Sequence, residues 1–413
     1  MEPLSKWALK LPFYYGWVIV IAAGIVLFFS YGTQYSIGVF LAAIEEDLHW
    51  SRAELSLGYS IYALTYCVMS TISGRLTDKL GPRRVVLGGG FLLAAGLGLS
   101  SQVSMLWQFY ISFGLLAGIG MSTVYVPCST TIVRWFTKRR GLALSLTTLG
   151  SSVGILIIPS VVGSLIILYG WRSGYIIVAS IVFAVVFFVS RLLYRDPKDI
   201  GIKESSISND THYESQSFSF SQALRVGKFW HFMFAIVISK SVGLIPFVHL
   251  PSMIILDHGD TIARGALASS LIGGGAVFGV LLVGPISDRY GRHVAAILMV
   301  MGQTMAYVGW LFFPGLVHFF AFIYGSTYGA SLVLMPAITS DLFGRAHVGA
   351  IFGVIFAGIG VASSVGTFGA GIAHDMLGSY ELVFQLGILG SLISLVLFIF
   401  LKIPKAKESN LFR

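Results

Sequence analysis

The stretch Gly74-Arg75-Leu76-Thr77-Asp78-Lys79-Leu80-Gly81-Pro82-Arg83-Arg84 stands between two long apolar runs. A near copy, Gly284-Pro285-Ile286-Ser287-Asp288-Arg289-Tyr290-Gly291-Arg292-His293, stands between two others. Both read Gly-x-x-(Ser/Thr)-Asp-(Arg/Lys)-x-Gly, so one polar loop has been used twice. Six apolar segments flank each copy. They cover roughly 13–44, 53–73, 85–104, 107–133, 141–168 and 173–194, then 229–256, 265–286, 293–313, 316–340, 347–374 and 380–402. About 20 apolar residues in a helix span the hydrocarbon of a bilayer, and these runs are continuous rather than alternating. The sequence therefore predicts an all-α membrane protein of twelve transmembrane helices in two pseudo-symmetric six-helix bundles. Parallel repeats of this kind place a substrate site between the halves near the midplane.

Composition agrees. Of 413 residues, 56% are apolar and only 11% charged, and the mean hydropathy is +0.84. Soluble domains are about a quarter charged. The one long hydrophilic connection runs from Arg195 to Lys228, with Asp196-Pro197-Lys198-Asp199 and a Ser-rich run from Ser205 to Ser221. The expected organisation is a first half over 1–194, a cytoplasmic linker over 195–228 and a second half over 229–413. The first apolar run is too long for a cleaved signal peptide and reads as a retained helix. Cys67 and Cys128 each lie inside an apolar run, which supports neither a disulfide framework nor a metal site.

The formal charge of +9 finds its explanation in location. With both termini in the cytoplasm, every Lys and Arg except Arg52, Arg172, Arg264 and Lys240 falls on the cytoplasmic side. That is the positive-inside pattern, and it removes any need for nucleic acid as a partner. The expected location is the cell (inner) membrane, multi-pass.

The duplicated loop resembles the signature loop of the major facilitator superfamily. Gly74 and Gly81 permit tight turns and close backbone approach. Asp78, Arg83 and Arg84, with Arg134 and with Asp288 and Arg289 of the second copy, would form a conformational latch that breaks when the halves rock. Other stretches resemble the bacterial monocarboxylate and oxalate/formate branch. They are Tyr15-Gly16-Trp17, Ser36-Ile37-Gly38-Val39-Phe40, Trp50-Ser51-Arg52-Ala53-Glu54, the run from Arg134 to Ala143, His249-Leu250-Pro251 and Asp257-His258-Gly259. That branch moves small carboxylates by proton symport or anion exchange. The resemblance implies a monomer, with a small organic anion and protons as its partners beside the lipid bilayer, and no cofactor. One departure stands out: the branch carries an Arg in the eighth span, and the matching dipeptide here is Gly279-Val280. A neutral or other organic solute is therefore the alternative cargo.

Lys240 is the candidate for the missing cation. It lies about 17 Å into the seventh segment at 1.5 Å per residue. An ammonium at that depth costs at least about 2.5–3.5 kcal/mol on insertion scales, a cost tolerated where the residue serves an anion. Snorkelling to the interface is the alternative, and a proton-carrying role a second function. His249 falls on the opposite face of an ideal helix, but Gly243, Pro246 and Pro251 interrupt the segment, so it too can reach a cavity and couple protons. A structural, hydrogen-bonded histidine is equally compatible. Asp257 is a proton or counter-charge candidate, or a solvated loop carboxylate. Gln34, Tyr125 and Tyr328 are polar candidates from the first, fourth and tenth spans, which usually line the path in this architecture. The chain carries no His-Glu-x-x-His, nucleophile elbow or phosphate-binding loop, which argues against an enzyme or an ATP-driven pump.

Overall fold

The computed structural model describes residues 12–136, 140–200, 218–344 and 348–401. Eleven helical stretches among them are long and apolar enough to cross a bilayer. One, Leu142–Leu192, runs for 51 residues, about 75 Å at 1.5 Å per residue and far more than one crossing needs. It turns at Gly170, where φ is 76° and ψ 163°, and so supplies both the fifth and the sixth span. The spans therefore number twelve, six before the linker and six after it.

The duplicated loop folds the same way twice. Gly81 has φ 81° and ψ 156°, and Gly291 φ 89° and ψ 155°. A side chain is strained at such positive φ, which explains why both copies keep glycine there. The face carrying these two loops is called the motif face below, and the other the opposite face.

Helix breaks fall where the halves must meet. The first span stops at Tyr35 and restarts at Ile37. The fourth passes through a π-helical turn, Tyr110–Ala117, and breaks again before Tyr125–Trp135. The seventh ends one helix at Ser241 and starts another at Ile245, with Gly243 in the gap and Pro246 in the first turn of the new helix. Such breaks free backbone carbonyls that hydrocarbon cannot satisfy. In the seventh span, Tyr307 donates to Val242 O at 2.6 Å, Tyr324 to Gly243 O at 2.6 Å and Ser363 to Lys240 O at 2.6 Å. Each such bond contributes about 1 kcal/mol net, while an unmet buried acceptor costs about 1–3 kcal/mol, so the break is held rather than loose.

Glycines set the helix spacing. A Cβ on Gly275 would lie 2.0 Å from Phe322 O, and one on Gly279 1.9 Å from Ser326 O. The eighth and tenth spans thus touch backbone to backbone, as the Gly275-x-x-x-Gly279 spacing predicts. The same device joins the two halves. A Cβ on Gly273 would meet Leu156 N at 2.1 Å, and Ser160 and Ser270 hydroxyls pair at 2.8 Å between the fifth and eighth spans. The second and eleventh spans cross at Ser60, which donates to Ser364 O at 2.8 Å. Hydrogen bonds that the described residues make between the halves run from the membrane middle to the opposite face, so the halves are sealed there.

Candidate functional site

Two polar clusters occupy the interface between the halves. The first is central. Lys240 is buried, 6% exposed, and its Nζ donates to Ser331 Oγ of the tenth span at 3.0 Å. The same Nζ stands 5.4 Å from the centre of the Tyr328 ring, within cation–π range. Among the described residues no carboxylate pairs with it. Lys240 does not snorkel; it points inward. The Tyr328 hydroxyl is hydrogen-bonded to Tyr35 across the halves, and Phe247 packs on both rings. On the first half, the Tyr31 and Tyr66 hydroxyls pair at 2.9 Å. Half-buried Tyr125 lies in the same region as Tyr31, Tyr66 and Tyr328. Gln34 is buried beside Tyr59, yet neither Gln34 Oε1 nor the Tyr59 hydroxyl has a partner at hydrogen-bonding geometry.

Of the sequence candidates, Lys240 and Tyr328 are in contact, with Tyr125 and Gln34 around the same central region. Tyr35 and Ser331 join them and were not singled out from sequence. A tyrosine and a serine in apolar helices carry no signal until their neighbours are known.

The second cluster lies at the opposite face. Arg52, 5% exposed, starts the second span behind a capping box of Ser51 and Glu54. Its Nε donates to both Glu45 oxygens, at 2.9 and 3.1 Å. Its two terminal nitrogens reach into the other half and donate to Asp257 Oδ2 at 2.8 Å and Oδ1 at 2.5 Å. One of them also approaches His374 Nε2 at 2.9 Å and the Tyr380 hydroxyl at 3.2 Å. The Tyr380 hydroxyl contacts His249 Nδ1 at 2.8 Å, and His249 Nε2 contacts Thr367 O at 3.0 Å and Ser56 Oγ at 3.3 Å. The Ala53 backbone N–H donates to Asp375 Oδ2 at 2.9 Å, again between halves. A crevice lined by Glu45, Arg52, Ser56, His249 and Ser252 reaches this cluster.

Among the described residues, His249 and Asp257 therefore share no partner with Lys240. The seventh-span break does reorient the helix, but it delivers His249 to the second and eleventh spans. Asp257 is not a solvated loop carboxylate: a guanidinium of the other half holds it. Sequence reasoning quoted Arg52 within the branch-like Trp50–Glu54 stretch and counted it as a basic residue on the outer side, but gave it no site role because its partners lie in the other half.

At the motif face, Arg134 lies 3.7 Å from Asp196, Arg289 stands over the Tyr290 ring, and Arg292 pairs with Asp341 at 3.0 Å. Arg83 is half-buried and Arg84 exposed. The side chains of Asp78 and Asp288 fall outside the described residues. The eighth-span position Val280 is buried.

Twelve spans in two like halves, with a polar centre between them, define a membrane carrier rather than an enzyme. The sequence matches the Major Facilitator Superfamily profile over residues 23–340, and the chain belongs to that family. It is 28% identical to the MFS transporter asaE of Aspergillus flavus, over 82% of this chain and 76% of that one. It is 26% identical to monocarboxylate transporter 13 of Rattus norvegicus, over 90% of this chain and 85% of the other. It is 25% identical to the oxalate:formate antiporter of Oxalobacter formigenes, over 87% and 85%. A solved bacterial homologue of the lysosomal transporter Spinster superposes with a TM-score of 0.68 at 14% identity, covering 94% of this chain and 95% of that one. That likeness concerns the fold.

Proposed function

We propose that this transporter moves a small organic anion of monocarboxylate type, by proton symport or anion exchange, with Lys240 as the charge that receives the carboxylate. The observation that carries this reading is a buried lysine near mid-membrane whose described partners are a serine hydroxyl and a tyrosine ring. An ammonium with no counter-ion among the described residues, held in a buried site, is poised for an anion. Tyr328, Tyr35, Tyr125 and Gln34 would offer hydroxyl and amide groups on an otherwise apolar wall, which suits a small amphipathic acid. Relatives named as a monocarboxylate transporter and an oxalate:formate antiporter support the same cargo class.

The positive-inside bias supports a cell-membrane orientation with the motif face and both termini cytoplasmic, and the major facilitator architecture supports a working unit of one chain with halves over 1–194 and 229–413 around the linker 195–228. Asp78, Arg83, Arg84, Arg134, Asp288 and Arg289 would then latch the cytoplasmic side in the other conformation, and His249 and Asp257 would serve coupling rather than cargo. A neutral organic solute is the second reading, favoured by Val280 where the related branch carries Arg.

The test is uptake of radiolabelled lactate, pyruvate, oxalate and formate into proteoliposomes, with and without an inward proton gradient, by wild type and Lys240→Ala. Uptake of one acid that vanishes in the variant supports the proposal. Indifference to all four acids under every gradient sinks it and turns attention to the neutral cargo.

A further inference from the structure

The Arg52 cluster contains a geometric conflict that a single proton would resolve differently. Arg52, Asp257 and His374 meet as a triangle. The guanidinium donates to Asp257 Oδ2 at 2.8 Å and reaches His374 Nε2 at 2.9 Å, while His374 Nε2 lies 3.3 Å from the same Oδ2. An arginine N–H can only donate. The 2.9 Å contact therefore suits the neutral tautomer in which Nε2 accepts and Nδ1 carries the proton, while the 3.3 Å approach to Oδ2 suits a protonated ring whose Nε2–H donates to Asp257. Among the described residues, that Nδ1 has no hydrogen-bond partner at proper geometry, and it lies 3.8 Å from Asp375 Oδ1.

We propose that His374 is a proton switch for the opposite-face seal: protonating its Nε2 takes Asp257 Oδ2 from Arg52, leaves the guanidinium with Oδ1 alone and so loosens the junction of the two halves. The proton adds to the Nε2 lone pair while Nδ1 keeps its own. The former acceptor then points an N–H at a guanidinium 2.9 Å away, and two cations compete for Oδ2 while Arg52 keeps Oδ1 at 2.5 Å. The ring N–H takes Oδ2, because His374 and Asp257 belong to the same half and stay together when the halves part. Arg52 is not stranded by the exchange. Its Nε already holds Glu45 of its own half at 2.9 and 3.1 Å, so it retreats with a counter-ion in place.

The groups facing His374 come from every element packed around it. Glu45 comes from the first span, Arg52 from the second, and His249 and Asp257 from the seventh. Asp375 follows on its own helix, and the Tyr380 ring lies 4.6 Å from the imidazole. Of the two histidines, His249 is the less suited. The Tyr380 hydroxyl accepts a hydrogen bond from Arg52 and donates one to His249 Nδ1. His249 Nε2 then donates to Thr367 O, so both ring nitrogens are satisfied in the neutral form. His374 keeps 14% of its side chain accessible and has an unmet nitrogen. If the opposite face is extracellular, as proposed above, an acidic exterior opens the carrier to the side from which a symported proton comes. The switch itself requires no assumption about the cargo.

The experiment measures distance without substrate, so a wrong cargo assignment leaves its outcome intact. Nitroxide labels go on Glu46→Cys in the first half and Ser379→Cys in the second, both exposed at the opposite face, in a Cys67→Ser, Cys128→Ser background. Pulsed electron resonance then reads their separation in nanodiscs from about pH 8 to about pH 5, the range a histidine titrates across. In the parent chain the wide-distance population should rise about three-fold or more on acidification. His374→Gln, which keeps an acceptor but cannot become a cation, should hold the narrow distance at every pH. Asp257→Asn should be wide at every pH. A parent chain with no pH response overturns the proposal, and so does a His374→Gln chain that responds normally. If His374→Gln does not fold, Arg52→Gln decides: without the guanidinium the pH response must vanish. A response abolished by His249→Gln but kept in His374→Gln would move the switch to the other histidine and end this assignment.

Discussion

Arg52 and Asp257 are 205 residues apart in sequence, lie in different halves, and are joined by two hydrogen bonds at 2.8 and 2.5 Å. The guanidinium is 5% exposed and the carboxylate 26%, so the pair is only partly screened by water. Removing one partner of a buried, hydrogen-bonded charge pair leaves the other uncompensated, at a cost of about 2–5 kcal/mol. That loss falls on the sealed conformation alone, because the contact exists only when the halves meet. Arg52→Gln should therefore shift the conformational balance toward the opposite-face-open state by about 30-fold for each 2 kcal/mol. Alkylation of Ser252→Cys by a membrane-impermeant maleimide would read this. Ser252 is buried beside Gly38 of the other half in the sealed state. An unchanged alkylation rate in Arg52→Gln would show that the pair does not hold the seal.

Lys240 should trade stability for activity. Among the described residues its ammonium has a serine and a tyrosine ring but no carboxylate. Lys240→Met keeps the length and apolar stem while removing a charge worth about 2.5–3.5 kcal/mol on insertion scales. The variant should insert normally, unfold at a higher temperature than wild type in detergent, and lose uptake. A lower unfolding temperature would mean that Lys240 is a structural strut, and would argue against its serving an anion.

The twelve spans were legible because hydrocarbon imposes one rule on every segment, length and apolarity. The duplicated loop revealed the two halves for the same reason: Gly81 and Gly291 must each adopt positive φ. Lys240 was legible because a charge inside an apolar run needs a reason. The opposite-face cluster was legible only at His249 and Asp257, which the sequence offered as coupling candidates without their partners. Glu45, Arg52, Asp257, His374 and Tyr380 sit near segment ends, where polar residues are ordinary, and only the packing of one half on the other shows that they meet. Tyr35 was hidden likewise, since its partner Tyr328 comes from the other half. Local pattern identifies residues that are unusual in their own segment, and it misses those made unusual by distant partners.

Two glycines in the eighth span should separate conformation from stability. Gly273 touches the other half, with a would-be Cβ 2.1 Å from Leu156 N, whereas Gly279 touches its own half, 1.9 Å from Ser326 O. In both cases the obstacle is backbone and cannot swing aside. Gly273→Val should prevent the fifth and eighth spans from closing. The Ser252→Cys alkylation rate should then rise about ten-fold while the thermal midpoint stays near wild type. Gly279→Ala should lower the midpoint and leave the alkylation rate alone. Identical behaviour of the two variants would mean that the halves are not the moving bodies.

The Tyr35–Tyr328 hydroxyl pair offers a test of whether the central cluster is one unit. The two rings meet between the first and tenth spans with Phe247 on both, and Tyr328 also carries Lys240 over its face. Tyr35→Phe leaves the Tyr328 hydroxyl without that partner, and Tyr328→Phe does the reverse. A stranded hydroxyl in a dry interface costs about 1–3 kcal/mol, whereas removing both hydroxyls together is close to neutral. The double variant should therefore resemble wild type in thermal midpoint more closely than either single variant, with a coupling of about 1 kcal/mol or more. Transport should separate the two singles. Tyr328→Phe keeps its ring beneath Lys240 but loses a hydroxyl next to the proposed anion site, so its KM should rise more than that of Tyr35→Phe. Strictly additive midpoints would show that water already satisfies both hydroxyls and that the pair does not bridge the halves. Equal KM values in the two singles would place the anion away from Tyr328.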